Sequence, residues 1–112
     1  MADDCLFCAI VAGDVPAAKV HEDDDTIAFT DLNPQAPVHI LVVPKRHIPD
    51  IVELGADAEA SAALLRGIRA VVDEQGLGDF RTVFNTGAGV GQSVFHVHAH
   101  LLAGRPMTWP PG

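Results

Sequence analysis

Three histidines at alternate positions, His96, His98 and His100, stand in the run FHVHAHL, and no other feature constrains the folding of this chain as tightly. In a β-strand, alternate side chains share one face about 7 Å apart, so the three imidazoles project together. Phe95, Val97, Ala99 and Leu101 then point into a core, within a strand expected over Val94 to Leu102. A polar outer face that happens to be histidine is the plain alternative. Half of the chain's six histidines fall in five residues, which argues for chemistry instead.

Two chemistries fit such a face. Imidazoles in a His-x-His arrangement ligate zinc, or one of them acts as a nucleophile while its neighbours set its tautomer and balance charge. The preceding segment, Thr86 to Ser93, brings three glycines, an amide and a hydroxyl beside the histidines. Glycine-rich backbone can turn several N–H groups toward an anion, which suits a phosphate better than a bare metal.

Elsewhere the periodicity is ordinary. Leu6, Phe7, Ile10 and Val11 recur at helical spacing, predicting a short helix with Asp3 or Asp4 as N-cap and Gly13 as the stop. Lys19 to Glu22 and Thr26 to Asp31 read as a hairpin, and His39 to Pro44 as a third strand ending at proline. Ala60, Ala63, Leu64, Ile68, Val71 and Val72 predict one long helix over Asp57 to Glu74, closed by Gly76. Phe80 to Asn85 reads as a fourth strand. One long helix serving five strands, without βα repeats, implies an α+β fold with a mainly antiparallel sheet.

With 112 residues the chain is the size of one domain, expected over 1–112. No apolar run approaches the ~20 residues that span a bilayer, and the acidic start MADDCLF leads into no leader-like stretch, so a soluble, cytoplasmic protein is expected. Fifteen acidic against seven basic residues give a net charge of −8, which disfavours binding to a nucleic-acid duplex. The run Glu22 to Asp25 reads as a solvated turn. Cys5-x-x-Cys8 could be two buried thiols, a redox pair or half of a zinc site.

The segment HVHAHLL, preceded by GQSVF, resembles the signature of the histidine triad (HIT) nucleotide hydrolases and transferases. The stretches CLFCAIVAGDVPAAKV, TDLNPQAPVHILVVPKRHI, NTGAGVGQSVFHVHAH and the terminal WPPG are similar to the Hint branch of that family, so the resemblance runs nearly the length of the chain. A branch whose motif ends in glutamine is disfavoured by His100.

The resemblance implies that His98 attacks the α-phosphorus of a purine nucleoside monophosphate ester or amide, its other nitrogen held by the main-chain carbonyl of His96. It assigns electrostatic support to His100 and His39, and makes Ser93 and His100 the candidate proton donors to the leaving group. Gln92, Ser93 and Gly91 match phosphate-loop contacts, Asp31 the acid that takes the ribose hydroxyls, and Asn85 a residue lining the nucleotide site. Phe7, Ile10, Ile27, Phe29 and Leu32 resemble the apolar purine pocket. A structural zinc on Cys5, Cys8, His47 and His96 is implied, with no catalytic metal. Two chains are expected to pair through the long helix and a sheet edge, Trp109 reaching toward the partner's site. His21 matches no functional position and is expected to be exposed. A dinucleoside polyphosphate hydrolase, a nucleotide-binding adaptor with incidental turnover, and a zinc hydrolase using the triad as ligands are the competing readings.

Overall fold

In the computed structural model, which describes residues 4–112, apolar side chains bury both faces of the central strands of one sheet. Strands β1 (Lys19–Glu22), β2 (Thr26–Thr30), β3 (Val38–Pro44), β4 (Phe80–Val83) and β5 (Ala99–Ala103) lie in the order β1-β2-β3-β5-β4, each neighbouring pair antiparallel. Helices α1 (Leu6–Ala12), α2 (Ile51–Gly55) and α3 (Ala58–Gln75) complete an α+β architecture, as expected.

Helix α3 packs across β1, β2 and β3. Its Leu64, Ile68 and Val71 join Ala28, Ile40, Val42, Ala99 and Leu101 in one core. The intervening residues Ile27, Phe29, Leu41 and Val43 face the other way and pack with Cys5 and Phe7 in a second core. Strand β3 is thus covered on both sides, which is why HILVVP is an unbroken apolar run instead of an alternating one. The close fit of α3 needs Gly67, where a Cβ would stand 2.6 Å from the Oγ1 of buried Thr26.

Four expectations need correction. The N-cap of α1 is Cys5, whose Sγ accepts from the Cys8 N–H at 3.3 Å; Asp4 is exposed outside the helix, and Asp3 lies outside the described residues. Helix α2 was not predicted: Asp50 caps it by accepting from the Glu53 N–H at 3.0 Å, and five residues are too few to show a period. Strand β5 starts at Ala99, not Val94, because the Val97 N–H donates to the Ile48 carbonyl at 2.6 Å and draws this stretch off the sheet. Phe95 is therefore 54% exposed and leaves the core. His21 is not free on the surface: its Nδ1 meets Glu74 at 2.9 Å and its Nε2 meets Asp23 at 2.9 Å, tying β1 to the end of α3.

Candidate active site and metal centre

Residue parity places the site. Along β2 and β3 the residues Ile27, Phe29, Asp31 and His39, Leu41, Val43 share the face turned toward α1, and His100, opposite Leu41, joins them from β5. On that face a cavity of about 290 Å³ opens, at the small end of the ~300–1,000 Å³ range of small-molecule sites. Its polar lining is Thr30, Asp31, Ser93, His98 and His100, with the Gly91 backbone; its apolar lining comes from Leu6, Phe7, Ile10, Val15, Pro16, Ala17, Ala18, Phe29, Leu32, Leu41 and Val94. Two wider grooves, one near Lys45 and the start of α3 and one beside β4, hold none of the expected site residues.

Hydrogen bonds fix the imidazole tautomers, because main-chain groups can act in only one sense. The Gln35 N–H donates to His39 Nδ1 at 3.0 Å, so neutral His39 carries its proton on Nε2. That N–H donates to His100 Nδ1 at 2.9 Å, which leaves the proton of His100 on Nε2. His100 Nε2 is buried and has no partner among the described residues, a donor waiting for an acceptor. His98 Nδ1 donates to the His96 carbonyl at 2.8 Å, so its Nε2 keeps a free lone pair. His96 Nε2 donates to the Pro44 carbonyl at 2.7 Å, and its Nδ1 lone pair faces the cysteines.

Burial pushes the pKa of His96 and of His98 below the ordinary 6.5, favouring the neutral forms this network requires. Burial also lowers His39, and it lowers His100 to about 4, with the His98 and His39 imidazoles adding to the effect. The folded His39–His100 pair takes up protons at lower pH than the unfolded chain does. Its contribution to stability is therefore complete above pH 6.5 and is lost as pH falls toward 4. Tm should decline across that window and the decline should flatten in His100→Asn; an unaltered slope in the variant would contradict a neutral pair.

Two groups of side chains bring metal-ligating atoms within 4.8 Å of one another: Cys5, Cys8, His47 and His96, and Asp31, His39 and His100. Their lone pairs distinguish them. In the second group His39 Nε2 carries hydrogen, and freeing it for a metal would move the proton to Nδ1, against the Gln35 N–H. In the first group Cys5 Sγ lies 3.4 Å and Cys8 Sγ 3.5 Å from His96 Nδ1, and Cys8 Sγ lies 3.3 Å from His47 Nδ1. Tetrahedral zinc with ordinary bond lengths separates sulfur and nitrogen ligands by about 3.6 Å, so the donor set fits a structural metal. Burial, then the neighbouring Cys5 thiol, push the Cys8 pKa up to about 11, a penalty on thiolate that a bound divalent cation reverses.

Of the residues expected in the pocket, Phe7, Ile10, Phe29, Leu32, Asp31, Gly91, Ser93, His98 and His100 line it. Ile27 does not: it is 1% exposed within the second core. Gln92 does not line the cavity either: its amide ties the loop to its surroundings, accepting from the Gly87 N–H and donating to the Pro49 and Val94 carbonyls. Asn85 stands behind the loop, where a Cβ on Gly91 would meet its Nδ2 at 3.7 Å. His39 supports His100 from below. Sequence reasoning missed Leu6, Leu41, Val94 and the wall of Val15, Pro16, Ala17, Ala18 and Thr30, residues whose types carry no signature of a site.

Comparisons with known proteins agree with this geometry. The family model described as "Scavenger mRNA decapping enzyme C-term binding" matches residues 4–109. An uncharacterised HIT-like protein of Synechocystis sp. is 48% identical over 114 residues, covering 100% of both chains. The 14 kDa zinc-binding protein of Zea mays is 42% identical over 113 residues, covering 96% of this chain and 87% of the relative. The crystal structure of a HIT family hydrolase from Legionella pneumophila superimposes with a TM-score of 0.90 at 46% identity, covering 97% of this chain and 100% of that one. With a five-stranded antiparallel sheet, a long helix and an HVHAH segment beside a pocket, the chain belongs to the histidine triad, or HIT-like, family.

Proposed function

We propose that the protein is a hydrolase of purine nucleoside monophosphate amides and mixed anhydrides, acting by two-step nucleotidyl transfer through His98. The observation that carries this reading is the His98 Nδ1–H bond to the His96 carbonyl, which leaves Nε2 as a free lone pair on an imidazole lining the cavity. Nε2 attacks the α-phosphorus, the bond to the amine or acyl group breaks, and the leaving group departs with a proton from Ser93 or His100. Water then attacks the nucleotidyl-histidine, returns a proton to the Ser93 or His100 group that gave one up, and releases AMP and neutral His98. The unpartnered Nε2–H of His100 supports a role in binding the phosphoryl oxygen as its charge grows. Asp31 at the mouth suits ribose hydroxyls, and the apolar wall from Phe7 to Phe29 suits a base.

Zinc on Cys5, Cys8, His47 and His96 belongs to the same proposal, supported by the donor geometry and by the name of the maize relative. Bound there, it would cross-link α1, the segment after β3 that carries His47 and the segment presenting His98, without touching the reacting atoms. The open edge of β4, with Phe80 40% exposed, supports a homodimer joined at that edge. Among the described residues no helix is long and apolar enough to cross a membrane.

A panel of adenosine phosphoramidate, an acyl adenylate and a dinucleoside polyphosphate tests the substrate class. Rapid AMP release from the first two supports the reading. Preference for the polyphosphate, or AMP binding with no turnover of any, would overturn it. The solution mass in the same samples tests the dimer, which a monomer at micromolar concentration excludes.

A further inference from the structure

We propose that Arg105, outside the pocket, is a positioning residue that decides which nitrogen of His100 carries the proton, acting through the loop backbone at Gln35 and through His39. Only its kinetic consequence rests on the nucleotidyl-transfer reading.

The Arg105 side chain is exposed, yet both of its hydrogen bonds go to main-chain carbonyls. Nε donates to Gln35 at 2.9 Å, and Nη1 donates to Pro106 at 3.0 Å, which stiffens its own segment. The adjacent Gly104 presses on the same loop: at φ +94° it brings the backbone so near Pro37 that a Cβ would lie 3.0 Å from the proline Cβ. The chain leaving β5 therefore clamps the loop before β3 at two points, Gln35 and Pro37. Asp31 lies in that loop, its Oδ1 accepting from the Asn33 N–H at 2.8 Å.

Gln35 matters because its N–H, on the peptide before the carbonyl that Arg105 holds, donates to His39 Nδ1, while Asp31 Oδ2 in the same loop lies 3.4 Å from His39 Nε2, so both keep the proton of His39 on Nε2. With the loop held, His39 keeps its proton on Nε2, and His100 presents an N–H to a phosphoryl oxygen. With the loop released, the Gln35 N–H and the Asp31 carboxylate can both leave His39, which can then carry its proton on Nδ1 and accept at Nε2. His100 must then donate from Nδ1, and the nitrogen toward the substrate becomes a lone pair facing anionic oxygen. A donor that should stabilise the transition state becomes a repulsive contact.

Nitrogen-15 spectra of the histidine rings in the full-length protein, without substrate, read the tautomers directly. Wild type should show unprotonated Nδ1 on both His39 and His100. Arg105→Ala should show mixed tautomers at both, and Arg105→Lys, which keeps a donor for the Gln35 carbonyl, should restore the wild-type pattern. With adenosine phosphoramidate, Arg105→Ala should lower kcat about five- to tenfold while KM stays within about twofold. If Arg105→Ala does not fold, Arg105→Met, which keeps the stem and carries no donor, gives the same measurement. Unchanged ring-nitrogen signals in the variant overturn the proposal, whatever kcat does. Because the spectra need no turnover, that failure is distinct from a failure of the hydrolase reading.

Discussion

His98→Asn binds AMP within about twofold of wild type and loses at least roughly four orders of magnitude in turnover. The expectation rests on a count of lone pairs. Four imidazoles surround the chemistry, and three are committed: His39 Nδ1 accepts from Gln35, His100 Nδ1 accepts from His39, and His96 Nδ1 faces the cysteines. In the neutral state that burial enforces, only His98 offers a lone pair to the pocket. An asparagine amide can still donate to the His96 carbonyl and fill the space, so the pocket keeps its shape while the nucleophile is gone. His100→Ala and Ser93→Ala should cost less, about 10²- to 10³-fold, and more with poor leaving groups, since each assists departure without forming the bond. Ordinary turnover in His98→Asn, measured by AMP release under excess substrate, would remove the nucleophile.

Loss of Cys5, a donor to the proposed zinc, should be the most damaging change to stability. Cys5 caps α1, packs in the second core at 8% exposure, and faces His96. Cys5→Ala removes the cap acceptor and one of four metal donors together, a cost of about 3–5 kcal/mol. For a chain of this size Tm falls by roughly 12–20 °C. Protein purified under reducing conditions should carry about one zinc per chain, and a strong chelator should lower wild-type Tm toward that of the variant. Metal analysis finding none, with a Tm indifferent to chelator, would contradict the site. AMP binding should survive in Cys5→Ala below its lowered Tm, because none of the four metal donors lines the cavity.

The elements that could be read from the sequence are those whose side chains repeat. Helix α3 has a 3.6-residue apolar period, a side-chain cap at Asp57 and a left-handed stop at Gly76. The strands read as strands because residues alternate between two buried faces. Helix α2 hid because one turn and a half carries no period. The late start of β5 hid because its cause is an N–H of Val97 paired with the carbonyl of Ile48, far away along the chain.

The site divides along the same line. Histidines and cysteines announce themselves by residue type and spacing, and nine of the expected pocket residues do line the cavity. What was hidden is main chain: the carbonyls of Pro44 and His96 and the N–H of Gln35 set every tautomer on which the chemistry depends. Any residue could supply such groups, so composition carries no trace of them. Gln92 shows the converse, a polar side chain beside the site whose hydrogen bonds all serve the loop.

The central claim is a covalent bond between phosphorus and His98 Nε2, and rapid quenching of a single turnover with phosphorus-labelled adenosine phosphoramidate tests it most directly. The account predicts that label appears on the protein before free AMP accumulates, that peptide mapping places it on His98, and that His98→Asn carries none. AMP formed with no protein-bound label at any time, or label mapped to His39 or His100, would contradict it.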